Sequence, residues 1–476
     1  MYKEICGEDN SLRVYQKELK RKIFDAWDEN DTVLLQMPTG TGKTRLFSSI
    51  IRDLNVWRMR KRENFKILIL AHRKELLEQI KNTLNTYGTE SAIIAGGYEK
   101  NFSQQVLIAS IQSISQSRIR ELIKELNVSF IIIDEAHHSL ASSYTRLWEL
   151  FPDSKKLGVT ATPWRMNGSG FSNIYEQFIF SPSIKQFIKD GWLSPYDYYS
   201  IGNKSDLRIK IDEITKFDIE GDYSIDVIEQ IMDDRMIHAQ LLNSYLKYAN
   251  GKKGIIYSIS RKHSEHILNK FKEANISIVL IDSRTTKELR ENYVKRFRAG
   301  EIKIIVNVDI FSEGFDCPDI EFIQLARPTK SLVKFLQQIG RGLRPAKGIQ
   351  KCIILDNVGD YFEFGLPDEE RDWNLFYNGS EQIKGPRISG KKKKIERTII
   401  EPSFDEGNEE LVLISEASII SQNISESKRE WTENDDVLLK TLYIERNCPI
   451  EVISLVFKRN EEEVQVHIKE LGLIKI

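Results

Sequence analysis

The chain has 476 residues, with 69 Lys and Arg against 70 Asp and Glu, and a net charge of −1. At roughly 100–200 residues per domain this length implies two to four domains. A hydrophobic content of 41%, with 10% aromatics, is enough to build real cores and excludes a largely disordered chain. Balanced charge excludes a bulk positive field, so any nucleic-acid binding has to come from local patches. The four cysteines, at 6, 317, 352 and 448, show no C-x-x-C spacing, which argues against structural zinc, an iron–sulfur cluster or a disulfide framework. Apolar runs such as Lys66–Ala71 and Phe130–Ile133 are far shorter than the roughly 20 residues that span a bilayer. Met1–Cys6 carries an acid near its start and no signal-type apolar stretch. A soluble, cytoplasmic monomer without membrane contact is expected.

In chain order, residues 12–28 place Leu12, Tyr15, Leu19, Ile23, Phe24 and Trp27 at helical spacing. Thr32–Gln36 reads as a strand that runs into the loop Pro38–Gly42, and helical pattern resumes from Lys43 to about Arg60. Further buried-type runs stand at 66–71, 105–109, 129–133 and 156–160, with helical stretches such as Lys74–Tyr87 between them. Strands that are apolar throughout and alternate with helices imply a parallel sheet covered on both faces. The pattern breaks around Gly191–Pro195 and restarts, with runs at 255–257, 277–281, 304–306, 322–325 and 352–355. The expected class is α/β, with two tandem parallel-sheet domains over 1–195 and 196–379. A linker is expected over 380–427, which includes Lys391–Lys394, and a small all-α module over 428–476.

Gly40-Thr41-Gly42-Lys43-Thr44 sits between a predicted strand and a predicted helix, the context that marks a P-loop. Its glycines let backbone N–H groups face phosphates without a side chain in the way. Lys43 places a point charge on the β- and γ-phosphates, and the Thr44 hydroxyl is a Mg²⁺ ligand. Thr39 and Thr41 complete the loop; Met37 stands where the full pattern has its first glycine. Downstream, Ile131–His137 ends a fully buried run in Asp134-Glu135, and a parallel sheet presents ligands outside the carboxyl ends of its strands. Asp134 is expected to hold Mg²⁺ through water, and Glu135 to orient and deprotonate an attacking water.

With these motifs the chain resembles a superfamily 2 helicase or translocase of the DEAH type, over roughly residues 12–375, nearest to phage and bacterial helicases and restriction-type translocases. Leu12–Gln16 resembles the adenine-reading Q motif, with Val14 in place of the usual proline, which implies that Arg13 and Gln16 bind nucleotide. Ala71–Leu77 resembles motif Ia, Ile108–Gln112 motif Ib, Val159–Thr162 motif III, Glu313–Asp316 motif V and Gln337–Arg344 motif VI. The resemblance implies two RecA-like domains and the cofactors ATP and Mg²⁺. It further implies that Gln337 assists at the phosphates, that Gly314 and Asp316 touch the ribose side, and that His137, Thr160 and Thr162 couple hydrolysis to movement.

Phosphoryl transfer needs charge stabilisation more than covalent chemistry, and an arginine at the transferring phosphate contributes roughly 10³–10⁵ in rate. Arg341 and Arg344 lie in the second domain, so placing them across a cleft makes hydrolysis conditional on domain closure. Closure becomes a motor if each domain grips a polymer backbone. Candidate grips are Arg73, Ser110 and Gln112 in the first domain, and Ser258, Arg261, Arg327, Thr329 and Lys330 in the second. The likeness to phage and restriction-type enzymes favours DNA over RNA as the nucleic-acid partner. Trp164 and Arg165 either stack on a base or pack at the domain boundary.

In the last segment, Trp431, Leu438, Leu439 and Leu442 form one apolar face, Ile450, Ile453 and Phe457 a second, and Val464, Ile468 and Leu471 a third. The segment resembles a Myb-like or helix-turn-helix module. The third helix opens on Glu461–Glu463, which would repel phosphates, so a protein partner through 430–476 stands beside a DNA reader. The function expected is an ATP-dependent DNA helicase or translocase. An RNA helicase, the motor subunit of a restriction or defence complex, and an ATP-switched binding module are the rivals.

Overall fold

The structure, a computed structural model, describes residues 2–203, 205–308, 319–346, 348–379 and 411–414, isolated positions between 436 and 453, and 461–473. The first domain carries strands β1 (Thr32–Gln36), β2 (Lys66–Ala71), β3 (Ser91–Ile94), β4 (Val106–Ser110), β5 (Val128–Asp134), β6 (Lys155–Thr160) and β7 (Gln177–Phe180). Their order across the sheet is β3-β4-β2-β5-β6-β1-β7, and every pairing is parallel. Val33, Leu34 and Leu35 of β1 are all buried, as are Leu68–Ala71 of β2, because helices cover both faces. On one side the helix Val14–Trp27 contributes Leu19, Ile23, Phe24 and Trp27, and the helix Lys43–Lys61 contributes Leu46, Phe47, Ile50 and Ile51. Buried apolar groups of the other face include Leu34, Leu68, Ile131 and Tyr144.

The second domain holds β8 (Tyr196–Ser200), β9 (Gly254–Tyr257), β10 (Ile278–Ile281), β11 (Ile304–Asn307), β12 (Phe322–Leu325), β13 (Cys352–Asp356) and β14 (Val412–Leu413), in the order β10-β11-β9-β12-β13-β8-β14. All pairings here are parallel except β14 on β8. Among the described residues each sheet therefore has seven strands, and no helix is long and apolar enough to cross a membrane.

Two findings amend the expected organisation. Val412 and Leu413, inside the segment read as a linker, pair antiparallel with Ser200 and Tyr199, and the Tyr248 hydroxyl donates to the Leu411 carbonyl at 2.7 Å. The sheet edge at β8 is thereby covered. The helix Trp373–Asn378, expected in the second domain, makes its contacts with the first: the Phe171 N–H donates to the Tyr377 carbonyl, and the Tyr377 and Phe178 rings stack at 4.8 Å. The remainder of 380–427, including Lys391–Lys394, lies outside the described residues, as do Gly314 and Asp316. Of the C-terminal segment, Leu439, Ile453, Val464 and Ile468 form a small apolar cluster of their own, with Val464 and Ile468 on the helix Glu461–Glu470.

Candidate active site

A parallel sheet puts all strand carboxyl ends on one edge. In the first sheet β5, β6 and β1 are neighbours, so Asp134, Thr160 and the loop after Gln36 converge there. The loop turns through Gly40 and Gly42, at φ +86° and +88°, the left-handed region that glycine alone enters without steric cost. A methyl group on Gly42 would also lie 2.6 Å from Gln16 Nε2. Gln16 is buried and fully engaged: Nε2 donates to the Thr41 carbonyl at 3.0 Å and the Gly42 carbonyl at 3.2 Å, and Oε1 accepts from the Arg13 N–H. Tyr15, inside the Q-motif stretch but read there only for its helical spacing, donates its hydroxyl to the Thr41 carbonyl at 2.7 Å and accepts from Arg13 Nη1 at 3.0 Å. The Arg13 guanidinium lies 4.8 Å from the Trp192 ring centre. The Q-motif region thus braces the loop from behind, while Arg13 lines the cleft in front of it. Met37, at the non-glycine position, is buried, and its carbonyl accepts from Lys43 Nζ at 3.2 Å.

The cleft has a volume of about 1130 Å³ and is lined by Thr39, Gly40, Gly42, Lys43, Thr44, Asp134 and Glu135 from the first domain, and by Arg341 and Arg344 from the second. Burial pushes the Lys43 ammonium below the ordinary lysine range; Glu135 and Asp134 pull it back up, and Arg341 and Arg344 add to the lowering. A bound polyanion would reverse that balance, since the cleft is lined by eight basic side chains against four carboxylates. Arg290 and Arg298 also line the cleft, from the helix Lys287–Arg298, and no sequence motif marks them.

Glu135 has φ +52°, a left-handed conformation that costs a non-glycine residue roughly 1–2 kcal/mol. That bend turns its carboxylate toward the second domain, where Gln337 Nε2 donates to Glu135 Oε2 at 3.3 Å. His137 Nδ1 stands 3.4 Å from the same oxygen and 3.2 Å from Thr160 Oγ1, which in turn accepts from the Thr162 N–H at 3.2 Å. A continuous polar path therefore runs from Gln337 through Glu135 and His137 to Thr160 and Thr162. His138 stacks on His72 at 4.8 Å, beside this path.

The helix Leu332–Gly342 delivers Gln337 and Arg341. It comes close to the loop because Gly340 has no side chain: a methyl group there would lie 2.6 Å from Thr39 Cβ.

Residues 9–165 match the family described as the Type III restriction enzyme, res subunit, and residues 237–346 match the helicase conserved C-terminal domain. A 51.5 kDa protein of a Lactococcus phage is 36% identical over 74% of this chain and 72% of its own length. A Saccharomyces cerevisiae protein, named provisionally as the ATP-dependent helicase IRC3, is 32% identical over 74% of this chain and 52% of its own. The chain thus spans about half the length of that relative. Among solved structures, a fragment assigned provisionally as the HsdR subunit of a type I restriction enzyme from Vibrio vulnificus superposes with a TM-score of 0.59. It has 22% identity and covers 77% of this chain and 69% of its own, which is likeness of fold. The chain belongs to the superfamily 2 helicases.

These helicases couple ATP hydrolysis to nucleic acid, and the structure narrows the polymer-facing candidates. Ser258 is buried, its hydroxyl held by Ser264 Oγ at 2.5 Å and the Asn307 carbonyl at 3.1 Å. Arg327 and Thr329 are also buried around Asp222, whose carboxylate accepts from Thr329 Oγ1 at 3.0 Å and lies 3.9 Å from Arg327. Ser110 caps the helix Ile111–Ile114 by accepting from the Ser113 N–H and is likewise buried. None of these four presents a side chain to solvent in this conformation. Arg73, Gln112, Arg261 and Lys330 remain at least partly exposed. Arg261 pairs with Glu265 and Asp282, and Lys330 with Glu363. As a superfamily 2 helicase, the chain exposes Gln112 and Arg73 on the same sheet edge as the nucleotide loop, farther toward β4.

Proposed function

We propose that this superfamily 2 helicase is a DNA motor in which ATP bound on the first domain is hydrolysed when the second closes on it. The observation that carries the reading is the Gln337–Glu135 hydrogen bond, made inside a cleft that also holds Lys43, Arg341 and Arg344. Glu135 is the general base for the attacking water, with His137 and Gln337 fixing its carboxylate. Lys43 and the loop N–H groups hold the β- and γ-phosphates. Arg341 and Arg344 stabilise charge that builds on the transferring phosphoryl group.

The positive-φ glycines, whose Cα atoms leave a concave backbone surface, and the nearby hydroxyl and carboxylate fit a nucleotide with Mg²⁺. Thr44 and Asp134 are the pair that would hold Mg²⁺, which when bound neutralises phosphate charge. Arg13 reaches the base side of the cleft, whereas Gln16 acts through the loop it braces. The DEAH sequence at 134–137 is the functional pair of acids with its relay histidine. Thr160 and Thr162 pass the state of Glu135 to the rest of the sheet edge.

DNA is the track favoured by the match to a restriction-enzyme subunit family and by the phage relative. The polymer lies along Arg73 and Gln112 in the first domain and Arg261 and Lys330 in the second, in contacts to phosphate and sugar that carry no sequence information. Steady-state ATP turnover, measured without polymer and with single-stranded DNA, duplex DNA or RNA, tests this, with Lys43→Ala as the blank. Stimulation by DNA is expected. Stimulation by RNA alone, or by no polymer, would overturn the DNA-motor reading.

A further inference from the structure

Seven histidines occur in the chain, and three of them gather in the second domain, away from the motifs that bear nucleotide chemistry. His238 lies on the helix Arg235–Tyr248; His263 and His266, one turn apart, lie on the helix Arg261–Glu273, which packs against it. Asp233 ends the helix Ile225–Met232 directly before them. One ligand-type atom from each of Asp233, His238 and His266 lies within 4.8 Å of the others. Bonds of about 2.0–2.1 Å to a tetrahedral ion would space such atoms roughly 3.3 Å apart. Small side-chain rotations close that gap.

A second observation points the same way. His238 is 7% exposed, and its Nε2 has no hydrogen-bond partner, although buried polar atoms are nearly always satisfied. Burial, reinforced by the neighbouring His266, holds His238 below the ordinary histidine range, so its ring is neutral and able to donate a lone pair. The His263 ring backs it at 5.3 Å, and its own Nδ1 accepts from the Ile259 N–H at 3.4 Å. His266 is 40% exposed, which leaves a route from solvent.

We propose that Asp233, His238 and His266 bind one divalent transition-metal ion of the zinc class. Two imidazoles and one carboxylate suit Zn²⁺, Co²⁺ or Ni²⁺ and do not suit Mg²⁺ or Ca²⁺, which take oxygen ligands. The fourth position is open to water. The Asp233 carboxylate is shared at present: Oδ1 meets His266 Nδ1 at 2.6 Å and Oδ2 meets Lys262 Nζ at 2.5 Å. Lys262 is 60% exposed, so its ammonium swings into water when a divalent ion takes its place. The bound ion fastens three helices, one of which opens at Arg261 on the polymer-facing set. It is a staple of the second domain and stands apart from the hydrolytic cleft, so it holds whichever polymer the motor follows.

The test is a titration of the full, tag-free chain with Co²⁺, after stripping with chelator and in excess Mg²⁺ so that the nucleotide cleft does not compete. One equivalent is expected to develop visible ligand-field bands of four-coordinate strength, which Zn²⁺ then abolishes. Zn²⁺ should also raise the melting temperature. His266→Gln and Asp233→Asn, both at partly exposed positions, should each weaken Co²⁺ binding at least about 10-fold while the metal-free melting temperature stays put. The absence of saturable bands in the native chain, or an unchanged titration in the two variants, would overturn the proposal.

Discussion

At the scale of single residues, two acids, Glu135 and Asp360, are each held away from their ordinary state. Glu135 sits in the left-handed region, which costs roughly 1–2 kcal/mol, because β5 must end and its carboxylate must turn toward Gln337. Glu135→Gly removes that strain at an entropic cost of about 0.5–1 kcal/mol. The variant should be as stable as the native chain, or up to about 1 kcal/mol more so in thermal unfolding, while ATP turnover falls by about 10²–10⁴. A clear loss of stability would show that the bend is not strained.

Asp360 is the second case. Burial first, then the nearby Asp356 charge, holds its carboxyl well above the usual carboxylate range, and Oδ2 has no hydrogen-bond partner. Because the folded state binds this proton more tightly than the unfolded chain, its contribution is complete below the unfolded value of about 4 and is lost as pH rises toward the folded one. Asp360→Asn mimics the protonated acid. Its melting temperature should match the native chain near pH 4 and exceed it increasingly up to neutral pH.

At the scale of elements, the approach of the helix Leu332–Gly342 to the nucleotide loop rests on Gly340. Gly340→Ala improves helix propensity by about 1 kcal/mol, yet its methyl group meets Thr39 Cβ at 2.6 Å. Thr39 is short and β-branched and sits on a tight loop, so the helix has to back away. Turnover should fall about 10–100-fold, as it does when reacting groups are displaced by near 1 Å, with thermal stability unchanged or raised. Unaltered kinetics would show that the cleft does not need this contact.

The same scale explains what could be read from the chain beforehand. The candidate nucleotide edge was legible because its residues are contiguous: five residues make the loop, and Asp134 and Glu135 are adjacent at the end of a strand whose Phe130–Ile133 run is apolar. β3, β7 and β8, like β14 in the expected linker, carry too weak a pattern to be read from the sequence. Ser91–Ile94 is short, Gln177–Phe180 is an edge strand with two exposed positions, and Tyr-Asp-Tyr-Tyr-Ser at 196–200 lacks an apolar run. The polymer candidates were the least legible, since exposure depends on distant partners. Arg327 and Thr329 follow the strand Phe322–Leu325 in a loop, as surface residues would, but Asp222, more than a hundred positions earlier in the chain, draws them inward. Gln16 carried the right motif, while the loop carbonyls it serves became visible only when the helix was placed against the loop.

At the scale of the whole molecule, the proposed hydrolytic residues are divided between two sheets, so that on this reading neither domain holds a complete site. The first supplies Lys43, Thr44, Asp134 and Glu135; the second supplies Gln337, Arg341 and Arg344. The helix Trp373–Asn378 crosses back to pack on the first sheet and ties the two together. Such a division suits the proposed motor, because any grip that differs between the two domains would change as the cleft opens and closes.

The most direct test measures ATP affinity and polymer-stimulated turnover side by side in Arg341→Ala. If the second domain completes the site, affinity should stay within a few-fold of native while turnover drops by about 10³–10⁵. Near-native turnover in this variant would contradict the account, since hydrolysis would then proceed on the first domain alone.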